Sequence, residues 1–302
     1  MQTLNTPRVR SIGLKVALWA LVAVYTYMLP GITAAYSSAL RAFGKDAAGT
    51  VPLFVVVVVG AAYAAAVLVS HRSWKNLLFL VPCGVIAFAI LKLVDNPNKL
   101  IYIPEYILMA WLLYAVLSRD YKGRGLFILI FVYASLLGVV DALEQGISPV
   151  WSYALSDMLV NSASALVGIL TIMGLKKMAA SDWAWTAHLL KLKSYLGLGL
   201  FGAAGAAIMC SYLFRVQFEG KFWGVYPGWL LLWNYLYVLW VPALAFYRGA
   251  LPENLRSAEG EKAPPLPPEA VTARLWIIPL VAILLYMHVL VIYVAGSGVK
   301  FN

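Results

Sequence analysis

The sequence predicts an all-α, polytopic transmembrane protein of about nine spanning helices, with its N-terminus cytoplasmic and its C-terminus extracytoplasmic. Three observations carry this reading: the composition, the lengths of the apolar runs, and the placement of lysine and arginine. Of 302 residues, 63% are hydrophobic and 12% charged, against about 45–50% apolar and about 25% charged in an ordinary globular domain. So few charges cannot cover the surface of a water-soluble fold. The same composition, with only two cysteines, excludes a disordered chain, a coiled coil, collagen and a small disulfide scaffold.

Crossing about 30 Å of hydrocarbon at about 1.5 Å per residue takes roughly 17–25 mostly apolar residues. Nine segments answer to that, taken in order: Leu14–Thr33, Val51–Ser70, Asn76–Val94, Ile103–Leu117, Leu126–Leu143, Tyr153–Leu175, Tyr195–Phe214, Gly228–Tyr247 and Leu275–Ala295. The first follows basic residues (Arg8, Arg10, Lys15), as a signal peptide would, but its apolar run is long and reads as a retained helix. Val55–Val59 alone would pass for a strand, and its continuation through Gly60–Leu68 makes it part of a span. The fourth is the shortest. The segments group as a two-helix portion (1–75), a four-helix core (76–175) and a three-helix portion (176–302) with a cytoplasmic linker at 250–274. That linker contains the run 263–268, Ala-Pro-Pro-Leu-Pro-Pro, an extended, semi-rigid spacer by its proline content.

Orientation follows the positive-inside rule. With the N-terminus inside, sixteen lysines and arginines fall in cytoplasmic segments and seven outside (Arg41, Lys45, Lys92, Lys99, Arg215, Lys221 and Lys300), and the alternation holds at every loop. The acids divide nearly evenly, so the formal net charge of +10 lies on the cytoplasmic side. It reads as an orientation signal with attraction for anionic lipids, not as a nucleic-acid footprint.

Ionisable groups in or near a bilayer are costly and point to function. Here they gather in three consecutive helices on the outer side. Glu105 and Tyr106 open the fourth span just after Pro104; Asp141, Glu144 and Gln145 end the fifth on one face; Asp157 and Asn161 open the sixth, four residues apart. Lys99, Tyr102 and Trp151 lie at the same level. Carboxylates so grouped need a shared proton, a bound cation or nearby donors. The plain alternative is that they stand in headgroups and water at helix ends.

These residues also carry a resemblance. The stretch 98–106, Asn-Lys-Leu-Ile-Tyr-Ile-Pro-Glu-Tyr, resembles the first signature of the VanZ-like membrane family at Lys99, Glu105 and Tyr106, with Asn98 and Tyr102 in place of its aspartate and histidine. The second signature is matched in spacing by Asp141, Gln145, Pro149, Asp157 and Asn161. Ala142 and Trp151 replace its glutamate and arginine, and Glu144 offers a carboxylate two residues away. The resemblance covers about residues 76–175. It implies a cell-envelope membrane protein of a family associated with resistance to glycopeptide antibiotics of the teicoplanin type, in the bacterial cytoplasmic membrane.

Other signals are weaker. Gly197, Gly199 and Gly202 fit the dinucleotide pattern G-x-G-x-x-G, but within an apolar span that continues with Gly205 they read as helix-packing positions. Of three histidines only His288 lies inside a span; it is a single ligand for haem or pigment at best, and a hydrogen bond to a neighbouring helix is the simpler reading. No cysteine and histidine spacing suits a metal, no serine–histidine–aspartate set is served from outside, and no cofactor is expected. The eighth segment is dense in aromatics (Trp229, Trp233, Tyr235, Tyr237, Trp240) and carries Asn234, a candidate interhelical donor. The expected partners are membrane lipids and, through that segment, other membrane subunits. The leading function is therefore an envelope protein whose outer polar site engages lipid headgroups or lipid-linked precursors. The alternative is a non-catalytic accessory subunit of a larger, energy-transducing or pigment-containing complex, and an ion-coupled transporter ranks third.

Overall fold

In a computed structural model of the chain, the structure describes residues 6–69, 74–94, 96–148, 151–176, 186, 193–250 and 268–302. Every regular element among them is helical: α1 (Thr6–Phe43), α2 (Lys45–Val69), a 3₁₀ turn (Trp74–Phe79) leading into α3 (Leu80–Leu93), a second 3₁₀ turn (Pro97–Ile101) leading into α4 (Tyr102–Leu117), α5 (Gly125–Ile147), α6 (Leu155–Leu175), α7 (Lys193–Glu219), the single turn α8 (Phe222–Val225), α9 (Gly228–Ala250) and α10 (Pro268–Ser297). The proline run through residue 267, His71, His188 and Pro149 lie outside the described residues, as does the side chain of Asn98.

Seven helical stretches among the described residues are long and apolar enough to cross a membrane: Gly13–Ala42, Trp74–Leu93, Lys99–Leu117, Gly125–Ile147, Leu155–Leu175, Lys193–Glu219 and Leu275–Ser297. This is the make-up of a multi-pass membrane protein. The second and eighth expected spans correspond to α2 and α9, whose described apolar stretches, Phe54–Val69 and Gly228–Leu244, are shorter helices among the described residues. The fourth expected span reaches full length by recruiting the 3₁₀ turn before Tyr102. Large apolar side chains such as Val57, Phe88 and Leu159 point outward while several polar ones are buried, the reverse of a water-soluble protein.

The chain divides into two compact units, Met1–Asp141 with Leu155–Asp182, and Ala142–Ala154 with Trp183–Asn302. In the first, the most extensive pairing is α4 on α6, with α1 and α2 against α4 and with α3 against α6. Small residues permit it. A β-carbon at Gly168 would stand 2.8 Å from the Ala110 side chain and 2.9 Å from the Ile107 carbonyl, so the two helices meet backbone to backbone. The buried side of α1 follows a heptad-like rhythm: Val22, Thr26, Leu29, Thr33, Tyr36 and Leu40. Its threonines give their hydroxyl protons to the carbonyls one turn back, Thr26 to Val22 and Thr33 to Leu29, and so enter an apolar interface satisfied. At one end of this unit, Lys15 of α1 forms an ion pair with Asp120 of the α4–α5 connection.

In the second unit, α10 packs on both α7 and α9. The glycines of the G-x-G-x-x-G stretch lie inside α7. A β-carbon at Gly202 would fall 2.4 Å from the Tyr237 ring, and one at Gly205 2.7 Å from Trp233 Nε1 and 2.9 Å from His288 Nε2. Gly202 and Gly205 are therefore contact points for α9 and α10, whereas a β-carbon at Gly197 would meet nothing within 4 Å. Gly220 takes φ +66° and closes α7 by donating to Val216 O, a left-handed cap that glycine adopts without strain. The C-terminal residues return to the segment 142–154. Asn302 donates its backbone N–H to Gly146 O (2.8 Å) and its side-chain amide to Ser148 O (2.9 Å), and Tyr153 N–H donates to Asn302 O (2.7 Å). Phe301 lies on Gly146 and against the Tyr153 ring, centroids 5.2 Å apart.

Candidate functional site

In the first unit the predicted polar residues come together at the start of α4, the start of α6 and the turn of α5 that ends at Asp141. Each is placed by its helix. Pro104 sits within the first turn of α4, where a missing N–H costs nothing, and directs Glu105 and Tyr106 into the bundle. Asp157 stands in the first turn of α6, where the helix dipole favours an acid. Asn161, one turn on, reaches α5 and donates weakly to Gly138 O at 3.5 Å. A β-carbon at Gly138 would stand 3.0 Å from Asn161 Cβ and 3.4 Å from the Tyr106 ring; the absent side chain lets these three helices close.

Burial is nearly complete. Glu105 is 4% exposed, Asp157 3%, Asp141 and Asn161 0%. Two subsites result. At the first, the Lys99 ammonium binds the Asp157 carboxylate and lies 3.3 Å from Ser156 Oγ, which itself donates to Asp157 at 3.2 Å. The lysine keeps about a quarter of its side chain exposed; the acid does not. At the second, Tyr106 donates its hydroxyl proton to Asp141 Oδ2 at 3.2 Å, and Glu105 and Asp141 lie within electrostatic reach of each other. Tyr102 is buried beside Tyr106. From α1, the Tyr25 hydroxyl donates to the backbone carbonyl of Glu105 at 2.9 Å, and Thr33 lies beside the Glu105 side chain. Neither Glu105 carboxylate oxygen accepts a hydrogen bond, nor does Asn161 Oδ1 or Ser164 Oγ.

Three expected site residues fall in the second unit. Glu144 accepts a hydrogen bond from Tyr286 of α10 at 2.8 Å, Gln145 is buried and Trp151 is half-buried. His288, the low-ranked ligand candidate, is fully buried. Its Nδ1 lies 2.7 Å from Leu284 O, so its hydrogen bond stays in its own helix instead of reaching a neighbour. With Nδ1–H donating there, Nε2 carries the lone pair; it faces the Gly205 and Trp233 packing surface, and the Tyr237 ring lies 4.4 Å away. Asn234 donates to Tyr226 Oη and Leu230 O, both at 2.7 Å, bracing the turn before α9. Burial pushes the Tyr226 hydroxyl well above its ordinary range, with Asn234 opposing. The aromatic run of α9 divides: Trp233, Tyr237 and Trp240 meet Phe201 of α7, and Trp229, Tyr235 and the remainder of Trp240 are exposed. An apolar cavity of about 420 Å³ lies between α7 and α9, lined by Gly197, Phe201 and Trp240. Among the described residues no group of three His, Cys, Asp or Glu is arranged to hold a metal ion, and both cysteines are free thiols.

Tyr25, Thr33 and Ser156 were not among the expected site residues. A signal existed for Thr33, which sits with Thr26 on a seven-residue repeat with Val22, Leu29 and Tyr36, but not for Tyr25, which lies off that repeat. That repeat marks the face α1 buries, though not what it buries it against.

No protein-family model, no curated protein and no solved structure matches this chain.

Proposed function

We propose that the chain is a VanZ-like integral membrane protein of the cell envelope, in the bacterial cytoplasmic membrane, whose outer polar site engages lipid headgroups or lipid-linked envelope precursors. The observation that carries this reading is the pairing of Lys99, about a quarter exposed, with buried Asp157. A lysine held by a carboxylate and a hydroxyl at the rim of a polar cluster can exchange them for a headgroup phosphate. The match of Lys99, Glu105, Tyr106, Asp141, Asp157 and Asn161 to the family's spacing supports the same site.

The reading includes nine crossings with the N-terminus inside, and two contacts support that count by parity. Lys15 binds Asp120, so an even number of crossings separates them. The long spans α1, α3 and α4 supply three, and α2 is the fourth. Asn302 binds Ser148 and Gly146, so the same holds for α6, α7, α10 and, as the fourth, α9.

The test is separate replacement of Lys99, Glu105, Asp141 and Asp157 by alanine in a host with an envelope or glycopeptide-susceptibility phenotype, with abundance in the membrane monitored. Altered phenotype at normal abundance is expected. If every variant accumulates normally and the phenotype never moves, the reading is wrong. The accessory-subunit alternative is favoured by one observation, the outward aromatic face of α9 (Trp229, Tyr235, Trp240). Isolation in mild detergent as a homogeneous single chain counts against it.

A further inference from the structure

We infer that Glu105 and Asp141 form a proton-binding site in which one proton serves two carboxyl groups, with Glu105 the neutral acid and Asp141 the ion. The geometry divides the roles. Asp141 accepts the Tyr106 hydroxyl proton at 3.2 Å, a donor that favours a charged acceptor. Glu105 is 4% exposed and neither of its oxygens accepts a hydrogen bond. A carboxylate ion so placed would bear a large desolvation cost, with only the Thr33 hydroxyl beside it to offset part of it.

The groups placed near Glu105 among the described residues are Tyr25 and Thr33 from α1, Tyr106 from α4 and Asp141 from α5. No cation is among them. Lys99 is engaged by Asp157 and Ser156, and Lys15 by Asp120. Tyr25 addresses the Glu105 backbone carbonyl and leaves the carboxyl untouched. Asn161, whose Oδ1 is buried and accepts no hydrogen bond, meets Gly138 beside the Tyr106 ring.

A proton fits this space better than a metal or a headgroup. The helices meet at Gly138 closely enough to leave no room for one methyl group without displacing Asn161 or Tyr106. Among the described residues no three acidic, histidine or cysteine side chains are placed to coordinate a metal ion.

The test uses the full chain, purified in detergent. Dicyclohexylcarbodiimide adds to neutral, apolar-sited carboxyls, and peptide mass spectrometry locates the adduct. Labelling of Glu105 at neutral pH is expected, with none at Asp141, together with a protonated-carboxyl stretch in the infrared spectrum that disappears in Glu105→Gln and survives in Asp141→Asn. An unlabelled Glu105, or a band that survives Glu105→Gln, overturns the assignment. So does saturable protection of Glu105 by sodium at constant ionic strength, which would make the occupant a metal cation. Because labelling is done on the unaltered chain, poor folding of a variant does not blunt the test. Labelling reads the occupancy of the site while the envelope phenotype reads its use, so the two proposals fail separately.

Discussion

Gly168 of α6 rests on Ile107 of α4 so closely that a β-carbon would stand 2.9 Å from the Ile107 carbonyl oxygen and 3.1 Å from its Cα. Backbone cannot yield as a flexible side chain can. Gly168→Ala should therefore spread the α4–α6 pair and cost about 1–3 kcal/mol, seen as a lower Tm in detergent. Gly197→Ala, with nothing within 4 Å, should be neutral or slightly stabilising because alanine is the better helix former.

The Lys99–Asp157 pair should behave asymmetrically. Lys99→Met leaves the buried Asp157 carboxyl without its cation, whereas the Lys99→Met/Asp157→Asn double variant removes the acid as well. The single variant should be the less stable of the two. The difference should fall below the 3–5 kcal/mol seen for fully buried pairs, since the lysine is part-exposed. Thermal unfolding of both variants and of Asp157→Asn closes the cycle.

Tyr237 is buried against Phe201 and His288, but its hydroxyl has no hydrogen-bond partner. Tyr237→Phe removes an unsatisfied polar atom and keeps the ring. Its Tm should match or exceed that of the parent. Gly202→Ala, aimed at the same ring from 2.4 Å, should lower it.

Phe301 covers Gly146 and Tyr153. Phe301→Ala should cost about 3 kcal/mol and quicken proteolysis near Ser148 and Trp151 while leaving sites in the first unit unchanged. Limited digestion followed by mass spectrometry reads both.

The parity of contacts yields a labelling pattern. Single cysteines replacing Lys122 and Lys300 should react with an impermeant maleimide from opposite sides of sealed vesicles. Reaction from one side would exclude nine crossings.

How far the sequence led differs by feature. Span lengths and ends are written in local composition, so α3, α5, α6, α7 and α10 lie where their apolar runs fall. The Asp157–Asn161–Ser164 face was equally local, because a four-three step on a helix fixes which residues share a side. Tertiary partners are not local. Nothing near Glu105 in sequence announces Tyr25 or Thr33, contributed by a helix about 70–80 residues earlier. Nor does the end of α5 reveal that Glu144 meets Tyr286, 142 residues on. Even His288 shows the limit: an interhelical bond was the natural expectation for a lone intramembrane histidine, but the carbonyl of Leu284, a full turn back, accepts its hydrogen bond.

The closure of the 146–153 segment by Asn302 sets an order of events during synthesis. Ser148 and its partner are separated by 154 residues, which at about 5–20 residues per second is a wait of roughly 8–30 s. For that interval the flanks of the α5–α6 connection must stay with their carbonyls and the Tyr153 amide bonded to water or to a helper. Asn302 thus completes contacts with Ser148, a residue laid down 154 positions earlier.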